Sequence, residues 1–88
     1  MTLRIETVSD GQTATLRLIG RIESESLDEL QSQLRRHRLR LVLDLEEVTL
    51  VDVGVVSFLI ACEAEGIELL HCAPYIREWM SRERGRGE

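Results

Sequence analysis

Two acidic residues, Asp44 and Asp52, stand eight positions apart in the middle of the chain. Two carboxylates brought to one place could act as a general acid and base, or could hold a metal ion. Alternatively, each carboxylate accepts hydrogen bonds from backbone N–H groups, Asp44 in a loop and Asp52 at the start of a helix. The sequence ties no histidine or nucleophile to the pair, so we favour the capping role.

Side chains that could ligate a metal are few and scattered: His37, Cys62, His71 and Cys72. They form neither a Cys-x-x-Cys motif nor a closely spaced histidine pair, so the sequence predicts no metal site. We expect Cys62 in the core, while a redox pair with Cys72 stays open. A Gly-rich phosphate loop and a Ser/His/Asp arrangement are both missing. We therefore expect no catalytic residue, no cofactor and no enzymatic activity.

The basic residues cluster from Arg35 to Arg40. This cluster could contact nucleic acid, an anionic membrane or an acidic partner, but arginine is also favoured where a helix ends. The formal net charge is −5, and aromatic residues make up 3% of the chain. Nucleic-acid binding uses a positive field and stacking side chains, so we expect no nucleic-acid partner.

Length and composition indicate one small globular domain. The chain has 88 residues, of which 43% are hydrophobic and 31% charged, enough for a single thin core. Its apolar runs are too short to cross a bilayer, its first residues lack an apolar signal core, and two cysteines make no disulfide framework. We expect a cytoplasmic protein without direct membrane insertion.

Period-two alternation predicts two strands joined by a tight turn. Apolar and polar side chains alternate from Leu3 to Val8 and again from Thr13 to Leu18. The turn-forming residues 9–12 lie between these runs and favour an antiparallel hairpin. We expect Gly20 to end the second strand.

A helix is expected from about Leu27 to about His37, where leucines recur at helical spacing. Ser26 and Glu29 fit a capping box at its start. The apolar run from Leu39 to Leu45 predicts a central strand that is covered on both faces. A connecting loop is expected from Glu46 to Val51.

Asp52 stands where a second helix should begin, with its carboxylate as the N-cap. This helix is apolar almost all round, which predicts that it is buried, and Gly66 is expected to end it. A short strand is expected from Ile67 to Cys72, and Pro74 suits the first turn of a third helix.

The order β-β-α-β-α-β-α predicts an α/β fold, a small mixed β-sheet with helices packed on it. Parallel pairing is expected wherever a helix joins two strands. We assign residues 1–82 to this domain and residues 83–88 to a flexible, charged C-terminal tail.

The stretch from Leu41 to Val56, LVLDLEEVTLVDVGVV, resembles the core of STAS domains, the family of anti-sigma-factor antagonists and related modules. In that family a strand ends in Asp, and a loop leads to Asp-Ser-Ser/Thr-Gly at the start of a helix. Asp44 matches the strand-end acid, Asp52 the acid before the phosphoacceptor, and Gly66 the glycine ahead of the last strand. The resemblance covers about residues 16–80 and implies a STAS-like fold.

The family's phosphoacceptor position holds Val53, which has no hydroxyl. Gly54 and Val55 follow, where the family has a second hydroxyl residue and a glycine. The resemblance therefore implies a variant that is not phosphorylated at the standard position. Of the nearby hydroxyls, we expect Ser57 to be bonded to a carbonyl inside a buried helix, and Thr49 to be an ordinary loop residue.

The resemblance implies a non-enzymatic, protein-binding regulatory module. Its partner surface would comprise Thr49, Asp52, Val53 and Gly54, and its partner would be an anti-sigma kinase or another signalling kinase. Binding would be constitutive, because no phosphate could eject the partner. Two other functions stay open: a cytosolic accessory subunit of an ABC-type lipid transporter, and a nucleotide or small-molecule sensor. A homodimer also stays open.

Overall fold

The structure is a computed structural model that describes residues 3–36 and 40–86. Within these ranges the elements are β1 (Leu3–Ser9), β2 (Thr13–Ile22), a 3-10 turn (Ser24–Ser26), α1 (Leu27–Arg36), β3 (Arg40–Val51), α2 (Val53–Ala64), β4 (Glu68–Leu70) and α3 (Pro74–Arg86). This order confirms the predicted α/β fold with a small mixed sheet.

The four strands lie in the sheet in chain order, β1-β2-β3-β4. Strand β1 is antiparallel to β2, and β3 pairs in parallel with both β2 and β4. Each strand after β2 is added on the same side of the one before it. Right-handed crossovers then place both connecting helices on one face of the sheet.

All three helices contribute to the core on that face. Their buried side chains form one apolar cluster with alternate residues of the strands: Ala14, Leu16, Leu18, Leu30, Leu43, Leu45, Val55, Val56, Leu59, Cys62, Ile76 and Met80. On the opposite face, Arg17 forms ion pairs with Glu6 and Glu47. The helices cover only one face of β3, because both crossovers deliver them to the same side. The prediction that both faces are covered is therefore met only in part: on the other face Val42 is buried as well.

Strand β3 is longer than the sequence predicted. Residues Glu46 to Val51, predicted as a loop, belong to the strand and run alongside β2. Two register shifts explain the error, because each places one extra residue in β3: the first lies between Asp44 and Glu47, and the second is at Thr49. An extra residue changes the face on which the following side chains lie, which hides the period-two pattern.

Gly20 lies inside β2 and not at its end. The strand continues to Ile22, and Gly20 has a φ of 98° at the second register shift. Residues with a Cβ rarely adopt this conformation. The predicted strand end at Gly20 is wrong, because this glycine accommodates an irregularity in the sheet.

The predicted end of α1 at His37 and the predicted start of β3 at Leu39 cannot be compared with the structure, since both residues lie outside the described residues. Ser26, the predicted N-cap, is the last residue of the 3-10 turn that leads into α1. Strand β4, at Glu68–Leu70, is shorter than the predicted Ile67–Cys72.

Helix α3 begins at Pro74, as predicted, and continues to Arg86. It therefore extends into residues 83–88, for which a flexible tail is predicted. The guanidinium of Arg84 lies 2.9 Å from a carboxylate oxygen of Glu63 on α2, which attaches this part of the helix to the domain. Residues 87–88 lie outside the described residues.

Candidate functional site at the β3–α2 junction

Asp52 is the N-cap of α2. Its backbone is extended, with φ −114° and ψ 179°, and its Oδ1 accepts a hydrogen bond from the N–H of Val55 at 3.0 Å. The first N–H groups of a helix have no acceptor within the helix, and a capping carboxylate satisfies one of them. The predicted capping role of Asp52 is confirmed.

Ser24 is a second partner of Asp52, and sequence reasoning missed it. The N–H of Ser24 donates to Asp52 Oδ2 at 2.9 Å, and the Ser24 hydroxyl donates to Oδ1 at 3.0 Å. The two residues meet because Ile22 pairs with Val51 in parallel register, so the chain leaves β2 and β3 at the same edge of the sheet. Recognising β2 and β3 as parallel neighbours was the signal that could have found this contact.

The carboxylate of Asp52 acts as a clamp between the 3-10 turn and α2, because Ser24 and Val55 both donate hydrogen bonds to it. Burial by itself would raise its pKa. Hydrogen bonds from the N–H groups of Ser24 and Val55 and from the Ser24 hydroxyl outweigh burial, so the pKa lies below its ordinary value of 3.8. At neutral pH this group is ionised, and it joins the 3-10 turn to α2 without a proton to donate.

Gly54 is required by the close approach of the 3-10 turn to α2. A Cβ at this position would overlap the hydroxyl oxygen of Ser24 and would lie 3.4 Å from the Ser24 Cβ. The space that a side chain at position 54 would fill is thus occupied by Ser24. The sequence placed Gly54 correctly at the start of the helix but offered no reason for a glycine there.

Two apolar side chains flank this clamp and are exposed. Val53, the first residue of α2, is 53% exposed, and Leu50, near the end of β3, is 51% exposed. Thr49 is also exposed and forms part of the strand, not the predicted loop. The structure therefore collects Thr49, Asp52, Val53 and Gly54 at one junction and adds Leu50 to them.

Ser57 lies on the exposed side of α2. The prediction that it is inside a buried helix is wrong, because α2 buries only the side formed by Val55, Val56, Leu59 and Cys62. Its exposed residues, Val53, Ser57, Ala61 and Ala64, recur at intervals of three or four and face away from the sheet. An all-round apolar sequence concealed which side of the helix is covered.

Asp44 does not belong to this junction. It lies in β3, seven residues before the strand ends at Val51, whereas Asp52 follows that end. At about 3.3 Å per residue, the extended chain between the two residues spans up to roughly 26 Å. The possibility of an acid/base or metal pair made of Asp44 and Asp52 is thereby removed. Asp44 instead contacts His71, with 3.0 Å between its Oδ1 and the imidazole Nδ1.

The two thiols are not activated. Burial raises the pKa of Cys62 to about 12, and burial also raises the pKa of Cys72. Since the thiolate is the reactive form, neither residue is prepared for nucleophilic chemistry at neutral pH. Both cysteines are free, and the prediction that Cys62 is a core residue is confirmed.

The basic cluster is only partly described. Arg35, Arg36 and Arg40 are exposed, while residues 37–39 lie outside the described residues. Arg35 and Arg36 are in the last turn of α1, where positive charge interacts favourably with the helix dipole. Among the helices in the described ranges, none is long and apolar enough to cross a membrane.

Comparisons with known proteins agree with this architecture. The family model described as "Mlab, STAS domain" matches residues 5–73. No curated protein matches the sequence. A solved anti-sigma-factor antagonist STAS domain from Rhodobacter sphaeroides is 21% identical, with a TM-score of 0.58 over 78% of this chain and 84% of that one. The anti-sigma factor antagonist SpoIIAA in its unphosphorylated form is 17% identical, with a TM-score of 0.61 over 92% of this chain and 79% of that one. The family model covers most of the chain and the fold is shared with both structures, so this protein belongs to the STAS domain family.

Proposed function

We propose that this STAS domain is a non-enzymatic regulatory module that acts in the cytoplasm and binds a protein partner through the junction surface, defined as Thr49, Leu50, Asp52, Val53 and Gly54. The observation that carries the proposal is the exposure of Val53 and Leu50 beside the clamped carboxylate of Asp52. Apolar side chains at the centre of a polar rim are typical of protein interfaces.

The hydrogen bonds of Asp52 also support the junction surface as the binding site. Asp52 joins α2 to the turn after β2, so the two apolar side chains stand on a support that is already ordered. Binding by an ordered surface avoids the entropic cost of fixing a loop, which leaves more of the contact energy for affinity. A binding module benefits from this arrangement, whereas a catalytic role would call for a proton donor or nucleophile at the junction.

The proposed partner is an anti-sigma kinase or another signalling kinase. This choice rests on the STAS family resemblance and on the antagonist function named for both structural relatives. Neither Val53 nor Gly54 carries a hydroxyl, so a phosphate of about −1.5 to −2 charges cannot be added at the start of α2. We infer that binding is constitutive.

Intact-mass measurement after incubation with the partner kinase and ATP tests whether the chain is phosphorylated, and therefore whether partner binding is constitutive. The mass should remain that of the unmodified chain. A gain of one phosphoryl group would contradict the proposal, and the exposed hydroxyls of Thr49 and Ser57 would be the first acceptors to replace by alanine.

A second candidate is the accessory subunit of an ABC-type lipid transporter. It is favoured by the same two observations, exposed apolar residues and no hydroxyl at positions 53 and 54, since a permanent subunit interface is apolar and needs no release switch. The identity of the partner separates the candidates: a transport ATPase supports the second, and a signalling kinase supports the first.

Affinity purification from the native cell, with matched variants, tests the junction surface. Val53→Glu places a carboxylate beside Asp52 in the proposed interface. Val8→Glu alters another exposed valine, 65% exposed, in β1. We expect the partner to be lost with V53E and retained with V8E. Equal recovery with both variants would exclude the junction surface as the binding site.

A further inference from the structure

Asp44, Glu46 and His71 converge on one place between β3 and the last strand. Asp44 pairs with Leu70 in the sheet, so His71, the next residue, reaches back to the Asp44 side chain. Glu46 lies two residues after Asp44, at the first register shift of β3. One potential ligand atom from each of the three residues lies within 4.8 Å of the other two.

Two of the three groups are held in position. The Asp44 side chain is only 15% exposed, and its Oδ1 accepts a hydrogen bond from the N–H of Glu46 at 3.0 Å. His71 has a φ of 55°, a left-handed conformation that is uncommon for residues other than glycine. This conformation directs the chain after β4 so that the imidazole faces Asp44, at 3.0 Å from Nδ1 to Oδ1.

The distances suit a small divalent ion. Zinc binds nitrogen and oxygen ligands at about 2.0–2.2 Å, so ligand atoms around a tetrahedral ion lie about 3.3 Å from one another. Asp44 and His71 already stand close to this spacing. Glu46 is exposed, and its flexible side chain can close the remaining gap without a movement of the strand.

The donor set selects the class of ion. One imidazole and two carboxylates suit zinc and its first-row neighbours, whereas calcium and magnesium prefer oxygen ligands alone. Two carboxylates and a neutral imidazole also balance the charge of a divalent cation. Arg17 pairs with Asp44 from the neighbouring strand β2, and its positive charge disfavours the binding of a cation. This effect is reduced because the guanidinium forms ion pairs with Glu47 and Glu6.

We propose that Asp44, Glu46 and His71 bind a divalent transition-metal ion, with zinc as the best fit. Three protein ligands would leave the fourth position to water. The ion would join β3 to β4, a strand of only three residues at the edge of the sheet. The sequence predicts no metal here because two ligands lie in β3 and the third directly follows β4, and no spacing motif records a contact made by strand pairing.

Titration of the purified protein with zinc chloride, followed by calorimetry, tests this site. We expect one ion per chain, and a rise of the thermal midpoint on saturation, because a ligand that binds only the folded state stabilises it. The test variants are D44N, E46Q and H71N. Asparagine tolerates a positive φ better than other residues, so H71N removes the imidazole while preserving the backbone.

Three control variants identify the ligands. D28N changes an exposed acid of α1, H37N changes the other of the two histidines, and C72S removes the thiol next to His71. Loss of a direct ligand should weaken zinc binding at least about tenfold in each test variant, since even outer-shell partners have effects of that size. The controls should bind as the wild type does.

Two results would overturn the proposal. One is the lack of saturable one-to-one binding at sub-millimolar zinc. The other is binding that survives H71N but is lost with H37N or C72S, which would assign the ion to other side chains. Competition by protons supplies an independent check: the affinity should fall as the pH drops and His71 becomes protonated.

Discussion

The backbone N–H and the hydroxyl of Ser24 both donate hydrogen bonds to the carboxylate of Asp52, 28 positions later in the chain. The same carboxylate caps α2 through the N–H of Val55. One side chain thus joins the segment that follows β2 to the helix that follows β3. This contact ties together the two chain segments that meet at the junction surface.

Removal of this carboxylate should destabilise the domain. Substituting an N-cap by alanine costs about 0.5–2 kcal/mol, and we expect Asp52→Ala to lie toward the upper end because the N–H of Ser24 also loses its acceptor. Urea denaturation measures the change. Asp28→Ala, which alters an exposed acid in the first turn of α1, is the control and should cost less than about 0.5 kcal/mol. A D52A domain as stable as D28A would contradict the clamp.

Gly54 and Ser24 should be energetically coupled. Alanine at position 54 overlaps the Ser24 hydroxyl, although alanine is intrinsically favoured over glycine in a helix by about 1 kcal/mol. We therefore expect G54A to destabilise the wild type and to become neutral or stabilising in an S24A background. A double-mutant cycle of urea unfolding free energies checks this. Additive effects of the two substitutions would show that the hydroxyl does not restrict position 54.

Much of the fold could be predicted from local pattern. The alternation in β1 and β2, the apolar run that opens β3, and Asp52 ahead of an apolar helix each predicted the correct element. The end of β3 could not be predicted, since the extra residues near Glu46 and at Thr49 break the alternation that identifies a strand. Coverage of the sheet on one face follows from strand order, which local pattern does not contain.

The sequence predicted Asp52 as the cap of α2, but it did not predict the contact between Asp52 and Ser24. The place of Asp52 before an apolar helical run predicts that it is a cap. Ser24 is an ordinary polar residue, and its role depends on β2 and β3 being parallel neighbours. His71 and Asp44 meet for a similar reason, through the pairing of β3 with β4. Contacts that depend on strand pairing leave no mark in residue spacing, so only the expected parallel pairing of the strands, and not a spacing motif, could have located them.

The contact between Asp44 and His71 should make stability depend on pH. The hydrogen bond to Asp44, and then its charge, raise the pKa of His71 above the ordinary value of 6.5. A raised folded-state pKa stabilises the fold fully below about pH 6.5, and this contribution is lost as the pH rises through the folded-state value. In buffer with a metal chelator, we expect a lower unfolding free energy at pH 8 than at pH 6.

The titration of Asp44 sets the low-pH limit of the range in which its contact with His71 stabilises the fold. Burial would raise its pKa, but hydrogen bonds from the N–H of Glu46 and from His71 outweigh burial, so its pKa lies below 3.8. Its contribution is present above about pH 3.8 and is lost as the pH falls through the folded-state pKa.

Urea midpoints at pH 6 and pH 8 test the contribution of His71. The difference between the two midpoints should shrink in H71N and persist in H37N. An unchanged difference in H71N would assign it to another group.

The affinity of the purified partner for the V53E and V8E variants tests the central claim most directly. Glutamate at the first position of α2 is compatible with the helix dipole, so V53E should fold, while its charge beside Asp52 in an interface costs several kcal/mol. Calorimetry should show at least about a hundredfold loss of affinity for V53E and wild-type affinity for V8E. Wild-type affinity for a folded V53E would contradict the assignment of partner binding to the β3–α2 junction.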